Sequence, residues 1–255
     1  MLYYRFLNLL VEEIEMIIVL GGKKGGTGKS NIAYLLAGAY QHQGVNVVLV
    51  DADENATCVN KAHRRNELFL QAEEDGDEAL MQMTKSIPVQ SIPSSQNARI
   101  PLQECKKNYD VVIVDTGGFE SVAFKSVVMV ADKIIIPTQL SQDDIEQLDP
   151  LFEWLRTQES DMRLRFDDYE MDIRAVFSRV NNYQASDKKE AREFLEEYAD
   201  LISISAIAIK ERSDVRKLSK SGLTYHDVKH KDRAQFELLI DELNGSREPL
   251  VARKV

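Results

Sequence analysis

Residues Gly21 to Asn31 read GGKKGGTGKSN, directly after the apolar run Met16–Leu20 and before Ile32, Leu35, Leu36 and Ala39, which recur at helical spacing. A strand, a glycine-rich loop and a helix in that order make a phosphate site. Gly25, Gly26 and Gly28 let backbone N–H groups turn inward around a polyphosphate, Lys29 reaches its terminal phosphates, and the Ser30 hydroxyl ligates magnesium. Thr27 and Asn31 complete the candidate nucleotide-binding set. The helix that begins here adds the positive end of its dipole. A glycine-rich turn with incidental lysines is the alternative, and it leaves the register of strand, loop and helix unexplained.

Three carboxylates stand at the ends of apolar runs. Val45–Val50 is followed by Asp51 and Asp53, and Val111–Val114 by Asp115. Open α/β sheets place their ligands at the carboxyl ends of strands. There Asp115 can hold a magnesium-bound water beside the phosphate loop. The alternative for each aspartate is that it caps the next helix.

Further apolar runs, Lys133–Ile136, Ile173–Phe177 and Ile202–Ile209, alternate with amphipathic stretches. This pattern predicts an α/β fold, a doubly wound, mostly parallel sheet with helices on both faces. The first helix is expected from Ser30 to about Gln43, closed by Gly44. Ser141 with Asp144 forms a capping motif ahead of a stripe of Ile145, Leu148, Phe152 and Leu155, which Pro150 breaks or restarts. Residues 71–101, with an acidic patch followed by Ile87-Pro88 and Ile92-Pro93, read as a long surface excursion. The expected division is an extension over residues 1–15, one domain over 16–245 and a tail over 246–255.

The loop misses the strict GxxxxGK[ST] pattern because Lys23 occupies its first glycine position. It fits KGGxGK[ST] from Lys24 to Ser30, and through it the chain resembles the ParA/MinD family of P-loop ATPases with a deviant Walker A loop. The resemblance implies ATP and Mg2+ as ligands and a homodimer in the ATP state. It implies that Lys24 crosses to the partner's nucleotide, where a second cation offsets charge developing during phosphoryl transfer. VDADEN is similar to the family's VDxDPQ, which implies that Asp53 orients the attacking water and Asp51 supports the magnesium shell or the switch. Glu54 and Asn55 replace the usual Pro and Gln, and Gly117-Gly118 replaces the prolines of DTPP, a looser switch with free N–H groups. PTQLSQDD is similar to PxQPSxxD, so Pro137 to Asp144 is expected to border the nucleotide and the dimer face. FSRVNN lies where relatives read adenine, making Arg179 and Asn181 base-pocket candidates; the alternative for Arg179 is a surface residue.

The 255 residues carry 32 Lys plus Arg against 42 Asp plus Glu, a formal charge of −10, which excludes a general nucleic-acid coat. No apolar run is long enough to span a membrane and no signal peptide is recognisable, so a cytoplasmic location is expected. Cys58 and Cys105 are too few for a disulfide framework and read as packing residues. The charge is uneven: residues 210–233 hold eight basic and four acidic side chains, a local +4 against −14 elsewhere. Arg212, Arg216 and Lys220 recur every fourth residue, and with Lys217 they would form one basic helix face. By resemblance this face binds DNA without sequence preference; a solvated surface is the alternative.

The resemblance thus implies an ATPase for plasmid or DNA partition, slow without a partner, with a centromere-binding adaptor protein that stimulates hydrolysis. Alternatives are a conjugation-associated or other cargo-positioning homologue, a MinD-like membrane ATPase and a P-loop biosynthetic ligase. No membrane partner is expected, because the last helix stripe, Phe236, Leu239, Ile240 and Leu243, lies among acids and suits burial. A nitrogenase-reductase-like carrier would need cluster cysteines at other positions.

Overall fold

The computed structural model of the chain describes residues 15–23, 25–181, 185–210 and 213–254, with backbone alone at 185 and 213–216. Seven strands form one sheet among these residues, in the order β3-β2-β4-β1-β5-β6-β7, and every pairing between them is parallel. In chain order the elements are β1 (Met16–Leu20), α1 (Lys29–His42), β2 (Val47–Ala52), α2 (Thr57–Asp75), α3 (Glu78–Met83), β3 (Val89–Ser91) and α4 (Arg99–Lys106). There follow β4 (Val111–Thr116), α5 (Val122–Val127), β5 (Lys133–Thr138), α6 (Gln142–Glu146), α7 (Asp149–Arg163) and β6 (Ile173–Phe177). The last are α8 (Ala185–Glu196), β7 (Ser203–Ile204), α9 (Ser213–Ser221) and α10 (Arg233–Leu243).

Side chains alternate across a strand, so each central strand feeds two cores. Ile17, Val19, Val112 and Val114 pack with Phe124, Leu151 and Phe152 of α5 and α7 on one face. Ile18, Leu20, Ile113 and Ile135 pack with Ile32, Leu36, Phe236 and Leu239 of α1 and α10 on the other. The apolar stripe of α10 is therefore buried, as its sequence suggests. Chain connections leave β1 and β4 toward opposite sides of the sheet, which opens a crevice at their carboxyl ends.

The long excursion expected at 71–101 is replaced by structure: the end of α2, the short helix α3, edge strand β3 and the start of α4. Its acids lie on solvated helix surface, and Ile87-Pro88 and Ile92-Pro93 flank β3, so charge and proline masked a three-residue strand. The run Ile202–Ile209 pairs only over Ser203–Ile204, with one further bridge between Val180 and Lys210. Ser141 caps α6 by accepting from the Asp144 N–H, and Pro150 stands in the first turn of α7, the restart expected of it. Beyond α10, Val251 bridges Ile204 antiparallel and Arg253 pairs with Glu159 at 2.6 Å.

Candidate functional site

The phosphate loop has the backbone that its glycines permit. Gly26 and Gly28 hold φ of 87° and 94°, a region that costs any residue with a Cβ. Helix α1 starts at Gly28 with no side-chain cap and no acid in its first turn, which leaves its N–H groups to an anion. Lys29 is buried; desolvation lowers its ammonium pKa, and the nearby Asp115 and Asp53 carboxylates work against that shift. Lys24 lies outside the described residues.

A cleft of about 620 Å³ opens over this loop, lined on the loop side by Gly25, Gly26, Gly28, Lys29, Ser30 and Asn31. The turn just beyond β6 braces it: Ser178 Oγ donates to the Thr27 carbonyl at 2.8 Å and Arg179 Nη1 to the Gly26 carbonyl at 2.7 Å. Arg179 also lines the cleft and holds a positive φ of 56°, so it is a brace of the loop as well as a wall. Asn181 does not line the cleft. On the far side of the loop, Pro137, Thr138, Gln139 and Asp144 border a small cavity with Lys23 and Thr27.

The three aspartates divide their work by register. Asp51 and Asp115 are direct partners across β2 and β4. Asp51 Oδ2 accepts from the N–H groups of Cys58 and Val59 at 2.8 and 3.0 Å, closing the start of α2. Asp53 reaches the cleft, and its Oδ1 accepts from both the backbone N–H and the side-chain amide of Asn55 at 2.8 Å. The Asn that stands in the resembling motif's Gln position thus fixes this turn. Gly117 faces Asp53, whose Oδ2 would lie 3.8 Å from an added Cβ. The following loop is tied to the phosphate loop where the Phe119 N–H donates to the Gly22 carbonyl at 3.0 Å.

Asp115 is fully buried, and its Oδ1 has no hydrogen-bond partner among the described residues. Burial pushes its pKa up to about 6, against a hydrogen bond from Ser30 and with the Asp51 charge adding to the rise. Cys58 Sγ lies 3.4 Å from Asp115 Oδ2 and 3.4 Å from the Ser30 carbonyl. Asp51, Cys58 and Asp115 bring potential ligand atoms together, but the Asp51 carboxylate is taken by helix N–H groups. The orphaned carboxylate oxygen beside the Ser30 hydroxyl fits a hard, oxygen-seeking divalent cation.

Helix α2 contributes what the motifs did not indicate. Thr57, Lys61 and Arg64 line the cleft from one face of it, and Lys61 Nζ donates to Asn31 Oδ1 at 3.0 Å. Their spacing is a helical stripe that becomes readable only once residues 57–75 are known to be a helix. Ile209, Lys210, Ser219 and Lys220 line it as well. Of the basic face, Lys217 and Lys220 are exposed on α9, with Lys220 turned to the cleft; the Arg216 side chain and Arg212 lie outside what is described. Gly222, just beyond α9, accepts from Tyr34 Oη at 2.8 Å and Arg65 Nη1 at 3.2 Å, so α9 is fastened to both α1 and α2.

Several solved structures share this fold. The chain is similar to apo McdA of Cyanothece, with 17% identity, TM-score 0.64 and coverage of 90% of this chain and 99% of that one. It is similar to Aquifex aeolicus MinD, with 20% identity, TM-score 0.61 and coverage of 92% and 99%. A putative plasmid partition protein from Borrelia burgdorferi, bound to AMPPNP, matches with 18% identity, TM-score 0.57 and coverage of 88% and 99%. No curated protein matches the sequence. No described helix is long and apolar enough to cross a membrane. The family model described as ATPase MipZ matches residues 16–248, from the first residue of β1 to beyond α10 and across every strand that builds the cleft, and the chain therefore belongs to the MipZ family of ATPases.

Proposed function

We propose that the chain binds ATP in this cleft, closes as a homodimer around two nucleotides, and in that state holds DNA without sequence preference until hydrolysis releases it. The observation that carries the reading is the convergence of an uncapped helix start, a buried lysine and an orphaned carboxylate oxygen beside Ser30. Ser30 and Asp115 would hold Mg2+, which when bound neutralises charge on the phosphate oxygens. The N–H groups of Gly25 to Ser30 cradle the phosphates and Lys29 contacts the terminal ones. Asp53, fixed by Asn55, orients the attacking water. Lys24 completes the site from the second copy, so turnover depends on dimerisation. Slow hydrolysis in the single copy follows, with stimulation by an adaptor protein bound to the cargo.

The basic segment supplies the contact with DNA. Its local charge of +4 sits on a chain of −10, and a dimer doubles the face. Arg212, Arg216 and Lys217 belong to this surface, with Lys220 shared between it and the cleft. Helix α10 gives its apolar residues to the core, which favours a DNA track over a membrane.

A DNA-binding titration with no nucleotide, ADP, ATP and a nonhydrolysable analogue tests the reading. Binding in the two triphosphate states alone is expected, with a salt slope that flattens when Arg212, Arg216 and Lys217 are replaced by alanine. Equal binding in all four states would overturn it.

A further inference from the structure

We propose that Cys58 and Asp115 together hold a thiophilic divalent cation of the zinc class, at a site just behind the wall of the nucleotide cleft. The inference deepens the metal reading above, on which it rests through the shared ligand Asp115. Cys58 stands in the first turn of α2, where its N–H donates to Asp51 Oδ2 at 2.8 Å. That bond fixes the start of the helix and leaves the thiol directed at Asp115, with Sγ 3.4 Å from Oδ2. Ligand atoms of Asp51, Cys58 and Asp115 lie within 4.8 Å of one another, and all three residues are buried. The other Asp115 oxygen, Oδ1, has no hydrogen-bond partner among the described residues.

A thiol beside a carboxylate oxygen suits a different ion from Mg2+. Magnesium takes oxygen ligands in a near-octahedral shell, whereas thiolate sulfur selects zinc and softer ions. Zinc–sulfur and zinc–oxygen bonds of about 2.3 and about 2.0 Å, set at a tetrahedral angle, place their ligand atoms about 3.5 Å apart. The observed 3.4 Å therefore lets an ion replace the thiol proton with little movement of either side chain. The S–H bond breaks, a sulfur–metal bond forms, the proton leaves to solvent, and no electron is transferred. Thr57, the neighbour of Cys58, and Ser30, whose carbonyl lies 3.4 Å from Sγ, both line the cleft, which gives the ion a short way in. Sharing Asp115 makes this ion and Mg2+ mutually exclusive, and the sulfur ligand gives zinc the advantage. Cys105, the other of the two cysteines, meets the Gln90 side-chain oxygen at 3.3 Å and belongs to no such cluster among the described residues.

Titration of the full, reduced chain with Cd2+, read at the ultraviolet thiolate-to-cadmium band, tests this. Saturation by a single Cd2+ per chain is expected, with the band abolished by Zn2+ and retained in excess Mg2+. Cys105→Ser should keep the band, Cys58→Ser should remove it, and Asp115→Asn should weaken Cd2+ binding at least about tenfold. If Cys58→Ser fails to fold, Asp115→Asn carries the test alone. No band, a band that outlasts Cys58→Ser, or an affinity that Asp115→Asn leaves unchanged overturns the inference. A thermal shift with ADP and Mg2+ in the same protein then leaves the nucleotide reading standing, and absence of that shift removes both.

Discussion

Asp51 and Asp115 sit directly opposite each other on paired strands, yet one carboxylate is saturated by backbone N–H groups and the other keeps an oxygen with no partner among the described residues. The pair separates structural from chemical work within one register position. Asp51→Ala should orphan the Cys58 and Val59 N–H groups and lower stability by about 2–4 kcal/mol in urea denaturation. Asp115→Asn should fold normally and lose its thermal response to Mg2+ with nucleotide. Equal destabilisation by both would contradict the division.

The raised pKa of Asp115 makes a stability prediction with a definite sign. Its folded value of about 6 lies above the ordinary 3.8, so the native state binds the extra proton between these limits. The stabilisation is complete below the unfolded value and is lost as pH rises through the folded one. Without divalent cation, melting temperature should therefore carry a component that falls from about pH 4 to pH 6. Asp115→Asn should remove that component, and a profile unchanged by the substitution would refute it.

Asp53 reaches the cleft from a turn that Asn55 locks, and it makes no contact that the core needs. Asp53→Ala is expected to retain ATP with an affinity near that of the unaltered protein and to lose turnover by about 100- to 10,000-fold. Steady-state hydrolysis beside equilibrium binding reads the two separately. Normal turnover would assign water orientation to another group.

Gly222 has φ of 68°, and a Cβ there would lie 2.2 Å from the Lys61 carbonyl. Its own carbonyl joins α1 and α2 through Tyr34 and Arg65. Gly222→Ala should cost about 2–4 kcal/mol, because the neighbours are backbone and cannot give way. Chemical denaturation checks the magnitude, and a nucleotide titration of the same variant should show weaker binding through the displaced wall of Lys61 and Lys220.

The elements most legible in the sequence were those with uniform surroundings. β1 and β6 match their apolar runs end to end, and the phosphate loop is readable because glycine, lysine and serine each have a fixed geometric task. Helix α2 escaped notice because its mean character is polar and it starts after Ala56, a left-handed non-glycine residue with no side-chain cap. With α2 unseen, Lys61 and Arg64 could not be placed at the cleft. Ile202–Ile209 is mostly apolar, with Ser203 and Ser205, yet its ladder covers only two residues, since burial against α1 and α10 rewards the same residues as strand pairing does. Local sequence also gives Asp51 and Asp115 the same appearance; only the position of the α2 N–H groups distinguishes them.

The central claim is that the nucleotide site is completed by a second copy. Sedimentation velocity of Asp53→Ala, which should hold ATP without consuming it, reads this directly. A dimer is predicted with ATP and Mg2+, a monomer with ADP, and a monomer in both states when Lys24→Ala is added. A mass that stays monomeric with ATP bound, or a dimer indifferent to Lys24, would contradict the account.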